Sequence, residues 1–283
     1  MLVKLRIEEL EKYIDFAYEI SLDLSKTCYP TYADGIKTKN DFIESAKKSF
    51  EKENDEIYLF YYEDKLEGWI HYYYIPEDQY FTCETFSIQN HMDIAFEEFF
   101  KHIEINFKGY EFYFGCSIKN KAAIQFLKTK DFEKIEESRV CLLNFDNYKI
   151  REENESIRKI TKFNFDDFRS LHAQYDDEMY WDCKHLLEDI ENWYIYALYE
   201  NDIAVAAIYF VASDMLLEIF GVDFKDDFFN KHHMEDLLSK ALNIGKGLGP
   251  KHMYYFAEDK DIDVLKRLGF QVFDTYTCYF KKI

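Results

Sequence analysis

Two stretches far apart in the chain share one pattern. Asn120 to Phe132 reads NKAAIQFLKTKDF and Glu258 to Phe270 reads EDKDIDVLKRLGF; each carries Leu-Lys near its end and places Phe four residues after that Lys. Around them the order of segments also repeats. In the second half, SIRKI (Ser156 to Ile160) alternates as a short strand, and NFDDFRSLHAQY and CKHLLEDIEN have helical spacing. WYIYALYENDIAVAAIYFVASDMLLEIFGV reads as a three-strand meander broken at Glu200-Asn201-Asp202 and Ser213-Asp214. Asn230 to Leu248 is helical, stopped by Gly245, Gly247 and Gly249-Pro250, and is followed by a strand, a short helix closed at Gly269 and a final hairpin, QVFDTYTCYFKKI.

The first half gives the same sequence of parts. A strand at Leu2 to Leu5 precedes EELEKYIDFAYEISLDL and, beyond Pro30 and Gly35, NDFIESAKKSFEKEN as helices. Three strands, a helix (HMDIAFEEFFKHIEINF), the strand EFYFGC, the helix NKAAIQFLKTK and a closing pair, EKIEESRVCLLNF, complete it. Tyr62 and Tyr199 are 137 residues apart, Glu84 and Glu218 134, His91 and His233 142, Leu127 and Leu265 138. Near-constant separations with agreeing element order indicate a duplicated unit. The expected division is residues 1–150 and 151–283.

Composition narrows the partners. Lys plus Arg number 35 against 55 Asp plus Glu, a formal charge of −20 that repels phosphate backbones and anionic lipid, so neither nucleic acid nor a membrane is expected and a cationic amine is. Ile203 to Ala212, the longest apolar run, is too short to cross a bilayer, and MLVKLRIEEL lacks the apolar core of a secretion signal, so a cytoplasmic location is expected. Six cysteines stand singly with no metal-binding or disulfide spacing.

The order β-α-α-β-β-β-α-β-α-β-β, with Asn120-x-x-Ala123-x-x-Phe126-Leu127-x-x-x-Asp131-Phe132, resembles the GCN5-related N-acetyltransferase (GNAT) superfamily, whose late motif is N-x-x-A-x-x-L-Y-x-x-x-G-F. The resemblance implies an α+β fold: two tandem acetyltransferase-like domains, each a mixed, mostly antiparallel twisted sheet flanked by helices. It also implies acetyl-CoA as co-substrate, lying where the fourth and fifth strands part, with its pyrophosphate on the amides that start the third helix. The expected reaction moves the acetyl group to a primary amine of a small substrate, a strand-four amide steadying the oxyanion and a carboxylate or water taking the amine proton. No metal is implied.

Two departures bear on the site. The glycine-rich phosphate loop is replaced in the second copy by Phe228-Phe229-Asn230-Lys231-His232-His233-Met234-Glu235, and in the first by a connection, Ser87 to Met92, that these anchors make eight residues shorter. The acidic Tyr of the motif falls at Leu127 and Leu265. The longer loop makes the second copy the expected carrier-binding one, with Val222, Asn230, Lys231, His232, His233 and Met234 as its cofactor residues and side-chain donors replacing glycine amides; the first copy becomes a structural lobe. Glu218, counterpart of Glu84 on these anchors, is the expected catalytic carboxylate, because an acid in an apolar strand has its pKa raised toward a useful range. His232 and His233, being adjacent on a helix, point apart and make no metal pair. The alternative is a non-catalytic binding module that has lost the cofactor; aminoacyl transfer from tRNA fits the fold plan but not the acidic surface.

Overall fold

In a computed structural model, residues 1–28, 32–176, 179–213, 216–225 and 229–283 are described. Pro30, Asp214, Met215 and Phe228, which the sequence places in turns, a strand and the phosphate loop, lie outside them. The chain forms two compact units, Met1–Ser138 with Asp274–Ile283, and Arg139–Phe273. A cut at residue 150 falls inside the second.

The first unit contains β1 (Leu2–Lys4), α1 (Leu10–Ser21), α2 (Lys39–Ser49), β2 (Asp55–Tyr62), β3 (Lys65–Ile75), β4 (Tyr80–Ile88), α3 (Met92–Asn106), β5 (Glu111–Ser117) and α4 (Lys121–Thr129). β6 (Glu133–Asn144) then gives this unit its first residues and the second unit its last. The second unit continues with β7 (Ile157–Lys159), α5 (Phe165–His172), α6 (Cys183–Glu188), β8 (Trp193–Glu200), β9 (Ile203–Ala212), β10 (Leu216–Phe224), α7 (Lys231–Leu248), β11 (His252–Ala257) and α8 (Ile262–Leu268). The last strand, β12 (Gln271–Lys282), begins there and ends in the first unit. Strands follow the order β1-β2-β3-β4-β5-β12-β6 in the first unit and β7-β8-β9-β10-β11-β6 in the second. β4 runs parallel to β5 and β10 to β11, while β1–β2, β2–β3, β3–β4, β5–β12, β6–β11, β7–β8, β8–β9 and β9–β10 are antiparallel. Among the described residues no helix is long and apolar enough to cross a membrane.

QVFDTYTCYFKKI and EKIEESRVCLLNF, expected to fold back as a hairpin and a strand pair, are instead single twelve-residue strands. Neither has a residue with positive φ at its middle to turn on, and each passes from one unit into the other instead. Tyr276 to Lys282 runs antiparallel to Ser117 to Glu111, filling the place beside β5 that a fold-back of the first half would have taken.

Repeated letters have repeated geometry. The β2–β3 and β8–β9 turns both use two left-handed residues, Glu63 and Asp64 (φ 46° and 62°) and Asn201 and Asp202 (φ 49° and 63°), the arrangement of a two-residue turn matched to strand twist. After α4 and α8, Asp131 (φ 56°) and Gly269 (φ 100°) take the left-handed position. The next amide, of Phe132 or Phe270, then reaches back to the carbonyl of Leu127 or Leu265 at 3.1 and 3.0 Å. This helix stop is the physical content of the shared Leu-Lys-x-x-x-Phe.

Each sheet is covered on both faces. α3 and α4 bury Phe96, Phe99, Phe126 and Leu127 against Phe81, Phe86, Phe112 and Phe114, and α1 and α2 close the other side over Trp69. In the second unit α7 and α8 lay Leu237, Leu238, Leu242 and Leu265 on Leu217, Ile219 and Met253, while α5 and α6 lay Phe168, Leu171 and Leu186 on Trp193, Ile195 and Tyr209. Each such fully buried side chain contributes about 1.5–3 kcal/mol over leaving it exposed, so these two-sided cores hold the sheets where strands part.

Candidate functional site

Strands β4 and β5 pair only at Tyr80↔Glu111, Phe81↔Phe112 and Thr82↔Tyr113 and then diverge. Likewise β10 and β11 pair from Leu216↔His252 to Ile219↔Tyr255 and diverge. A bulge lies at the divergence in each unit. Opposite β3, Thr85 faces His71 and Cys83 faces Tyr72, leaving Glu84 extra; opposite β9, Ile219 faces Phe210 and Gly221 faces Tyr209, leaving Phe220 extra. The bulges therefore make Phe220 the counterpart of Glu84. Glu218 matches Thr82, and the pairing of Glu84 with Glu218 read from letters is corrected by two residues. From this register α3 (Met92) and α7 (Lys231) start 139 residues apart against 136 for the bulges. The connection in the first unit is thus shorter by about three residues rather than eight.

The two clefts differ in content. In the first unit the segment Lys26–Cys28 runs between the parting strands: the Cys28 amide donates to Phe86 O (3.0 Å), the Ile88 amide donates to Lys26 O (3.0 Å), and Cys28 lies opposite Cys116 of β5 as an antiparallel bridge. Thr27 Oγ1 and Ser87 Oγ are 2.8 Å apart, and Asn120, the cap of α4, donates from Nδ2 to Thr27 O (3.1 Å) while its Oδ1 accepts from the Ala123 amide. Thr27, Cys28, Cys116 and Asn120 are all buried. The chain thus supplies its own strand to satisfy backbone groups that the divergence exposes. Nothing in the letters around Thr27 announces this, because a lone bridging residue has no periodicity.

In the second unit, among the described residues, no segment bridges β10 and β11 past Ile219 and Tyr255. A cavity of about 180 Å³ opens there, lined by residues that include Val222, Phe229, Tyr255, Glu258 and Asp261. Tyr255 and Asp261 are almost wholly buried, and the Tyr255 hydroxyl donates to Asp261 Oδ2 at 3.3 Å.

The helix starts beside the clefts reverse this contrast. α3 begins at His91 in a left-handed conformation (φ 60°) with no side-chain cap, next to a groove of about 800 Å³ that includes Lys26, Gln89, Asn90, Gln125 and Thr129. α7 is capped by its own Asn230, whose Oδ1 accepts from the His232 and His233 amides at 2.9 and 3.3 Å. The first unit keeps an uncapped helix start above a filled cleft, and the second keeps an open cleft below a capped helix start.

The remaining predicted residues are dispersed. Val222 lines the cavity. Met234 is fully buried in the core beneath α7. Lys231 Nζ lies 3.1 Å from Asp263 on the surface, and His233 Nε2 lies 3.0 Å from Glu200. His232 is exposed on the first turn. Glu218 is half-buried in the paired part of β10, opposite Val211 and Tyr254. Directly opposed residues share a face, so Glu218 lies with Val211 on the α5/α6 side, whereas Val222, opposite Ile208, lies on the α7/α8 side. Leu127 and Leu265, at the motif's acid position, are core residues.

One further pair escaped the sequence reading. Asp223 of β10 and His172 of α5 are buried together, Nδ1 to Oδ2 2.8 Å, with His172 Nε2 2.9 Å from Trp181 O. Asp223 carries the signal that selected Glu218, an acid in an apolar strand, but its partner 51 residues earlier is visible only in three dimensions.

No protein-family model matches the chain, and no curated protein matches it in sequence. Solved structures do match in fold. A GCN5-related N-acetyltransferase from Sphaerobacter thermophilus superposes with a TM-score of 0.64 at 10% identity, over 100% of this chain and 95% of that one. A GCN5-related N-acetyltransferase from Kribbella flavida gives 0.53 at 11% identity, over 77% and 88%. A tandem GNAT protein from the clavulanic acid biosynthesis pathway gives 0.52 at 11% identity, over 100% and 98%. The chain has the GNAT fold, in two copies.

Proposed function

We propose that this pair of acetyltransferase folds moves an acetyl group from acetyl-CoA to a primary amine of a small, cationic substrate, with the second unit holding the carrier and the first serving as a structural lobe. The observation that carries this reading is the asymmetry of the clefts: Lys26–Cys28 fills the first, and the second is open at Val222 and Tyr255.

In this reading the carrier's arm enters between β10 and β11 from the α7/α8 side. Bulging at Phe220 interrupts the ladder at the point of divergence, which leaves backbone amide character available for a developing oxyanion. The amine approaches on the opposite face, where Glu218 lies, and attacks the thioester carbon. A C–N bond forms, the C–S bond breaks with its electron pair on sulfur, and the amine proton passes to Glu218 or water. The Asn230 cap occupies the His232 and His233 amides, so phosphate recognition falls to the side chains of Lys231 and His232. The Lys231–Asp263 bridge is exposed, and such pairs are worth at most about 1 kcal/mol, so Lys231 is recruited at little cost. A net charge of −20 favours a cationic acceptor over an anionic one.

The Asn230 cap and the absence of a glycine loop favour the second reading, a binding module without catalysis. Titration calorimetry with acetyl-CoA, followed by an amine panel read by thiol release, separates the two. Binding with one carrier per chain and turnover of cationic amines is the expected result. Binding without turnover of any amine supports the module, and no heat at millimolar acetyl-CoA ends the carrier reading.

A further inference from the structure

Among the described residues two buried side-chain nitrogens lack a hydrogen-bond partner, Trp69 Nε1 and Trp193 Nε1. Trp69 is wholly enclosed in the core under α1 and α2. Trp193 is buried too, but its cover is not: the ring of Phe220, 36% exposed, packs edge-on at 4.8 Å, and the half-buried Trp181 packs at 4.9 Å. Phe220 stands on the extra residue of the β10 bulge, opposite no residue of β9, so its ring is the part of this cover that moves without breaking a strand pair. Trp181 is pinned, its carbonyl accepting from His172 Nε2 at 2.9 Å.

The position of this unpaired donor bears on the acceptor. Trp193 of β8 is directly opposite Val211 of β9, and Val211 is opposite Glu218 of β10, so the three share a row on the α5/α6 face. Two strand spacings, about 10 Å, separate the Trp193 and Glu218 backbones. At one end of the row an indole N–H lacks an oxygen; at the other a carboxyl suits an ammonium. Val211, Trp181 and Phe220 between and beside them are apolar.

We infer that this row binds the amine acceptor lengthwise and selects its class: an amine with a flat, apolar body that carries an oxygen at the end away from the ammonium. The oxygen accepts from Trp193 Nε1 once the Phe220 ring swings aside, the body lies over Val211 against Trp181, and the ammonium meets Glu218. The inference deepens the proposed acetyl transfer and rests on it for the role of Glu218. An amine without the oxygen leaves the indole N–H unpaired, and one without a flat face forfeits the ring contacts, so both are poorer ligands.

Tyramine, 2-phenylethylamine and butylamine, which differ stepwise by the oxygen and the ring, serve as probes. Their affinities are measured by calorimetry on the full chain with CoA present, for the native protein, Trp193→Phe and Phe220→Ala. The native protein is expected to bind tyramine about tenfold more tightly than 2-phenylethylamine, and 2-phenylethylamine about tenfold more tightly than butylamine. Trp193→Phe, which keeps a ring and removes the N–H, should bring tyramine level with 2-phenylethylamine. Phe220→Ala removes the ring that must be displaced and should tighten both ring amines by about tenfold; at an exposed position, it serves if Trp193→Phe does not fold. Equal native affinities for tyramine and 2-phenylethylamine, a tyramine preference that survives in Trp193→Phe, or ring amines weakened or unmoved by Phe220→Ala would overturn the inference, and acetylation of other amines would then leave the transfer reading standing. Selective binding of tyramine without thiol release from acetyl-CoA keeps the row as a binding site and sinks the transfer. If no amine binds and none is acetylated, both fall.

Discussion

His172 Nδ1 lies 2.8 Å from Asp223 Oδ2, and both side chains are buried. Trp181 O, 2.9 Å from Nε2, can only accept, so Nε2 carries hydrogen. Between Nδ1 and the carboxyl there is then one more proton, giving the pair a proton beyond neutral imidazole and carboxylate. Burial alone pushes the His172 pKa down, but the Asp223 carboxylate and Trp181 carbonyl overcome it and leave it raised; burial raises Asp223.

A stability prediction follows from the sign. A raised His172 pKa contributes stability fully present below about 6.5, the unfolded value, and lost as pH rises through the folded pKa. The raised Asp223 pKa acts in the same direction. His172→Gln should destabilise the second unit by about 3 kcal/mol at pH 6, with the difference from native narrowing towards pH 9. Denaturant melts at the two pH values check it; a difference that widens with pH refutes the shared proton.

Filling of the first cleft rests on Asn120, which both caps α4 and holds Thr27 O. Asn120→Ala should cost about 2 kcal/mol, one part for the cap and one for the stranded carbonyl. Hydrogen exchange should quicken at the Cys28 and Ile88 amides before it quickens in α3. Unchanged protection there would mean that Lys26–Cys28 is held by its strand neighbours alone.

Gly221 follows the bulge of β10, where an added Cβ would lie 2.7 Å from the ring carbons of buried Tyr209. Tyr209 is packed edge-on by Phe168 and His172. Gly221→Ala should destabilise the second unit by about 2 kcal/mol and weaken carrier binding, while the first unit's melting is unaltered. Calorimetric scanning resolves this if the two units melt separately, and amide exchange by unit resolves it otherwise.

The terminal segment Asp274–Ile283 belongs to the first unit. Tyr276 to Lys282 pairs with β5, and Ile283 exchanges backbone hydrogen bonds with Gly109 and Tyr110. Removing it strips β5 of a neighbour and takes the buried Tyr279 out of the first unit's core, a loss of more than about 4 kcal/mol in buried side chains and ladder. Truncation after Phe273 should abolish protection in β5 and α4. Native-like exchange in those elements would show that the first unit closes without it.

Much of this fold was legible because hydrophobic period and turn chemistry survive duplication. Leu-Lys-x-x-x-Phe encodes a helix stop that either Asp131 or Gly269 can make, and Glu63-Asp64 and Asn201-Asp202 encode the same turn. What failed was alignment by shared letters. Glu84 and Glu218 look alike, yet the bulges pair Glu84 with Phe220, because register follows side-chain alternation and the extra residue. The exchange of β6 and β12 between units was hidden for a related reason, since strand pairing partners far apart in sequence leave no local mark. At the cavity, Val222 was among the residues expected from the sequence, whereas Asp261 and Tyr255 were not, their tie being a hydrogen bond between a strand and the turn after it.

A crystal structure of the protein with CoA tests the division of labour between the copies most directly. The account predicts one CoA per chain, its arm between β10 and β11 beside Val222 and Tyr255, with Lys26–Cys28 still in place in the first unit. An arm lodged between β4 and β5 with that segment displaced, or a closed cleft in the second unit with no CoA, would contradict it.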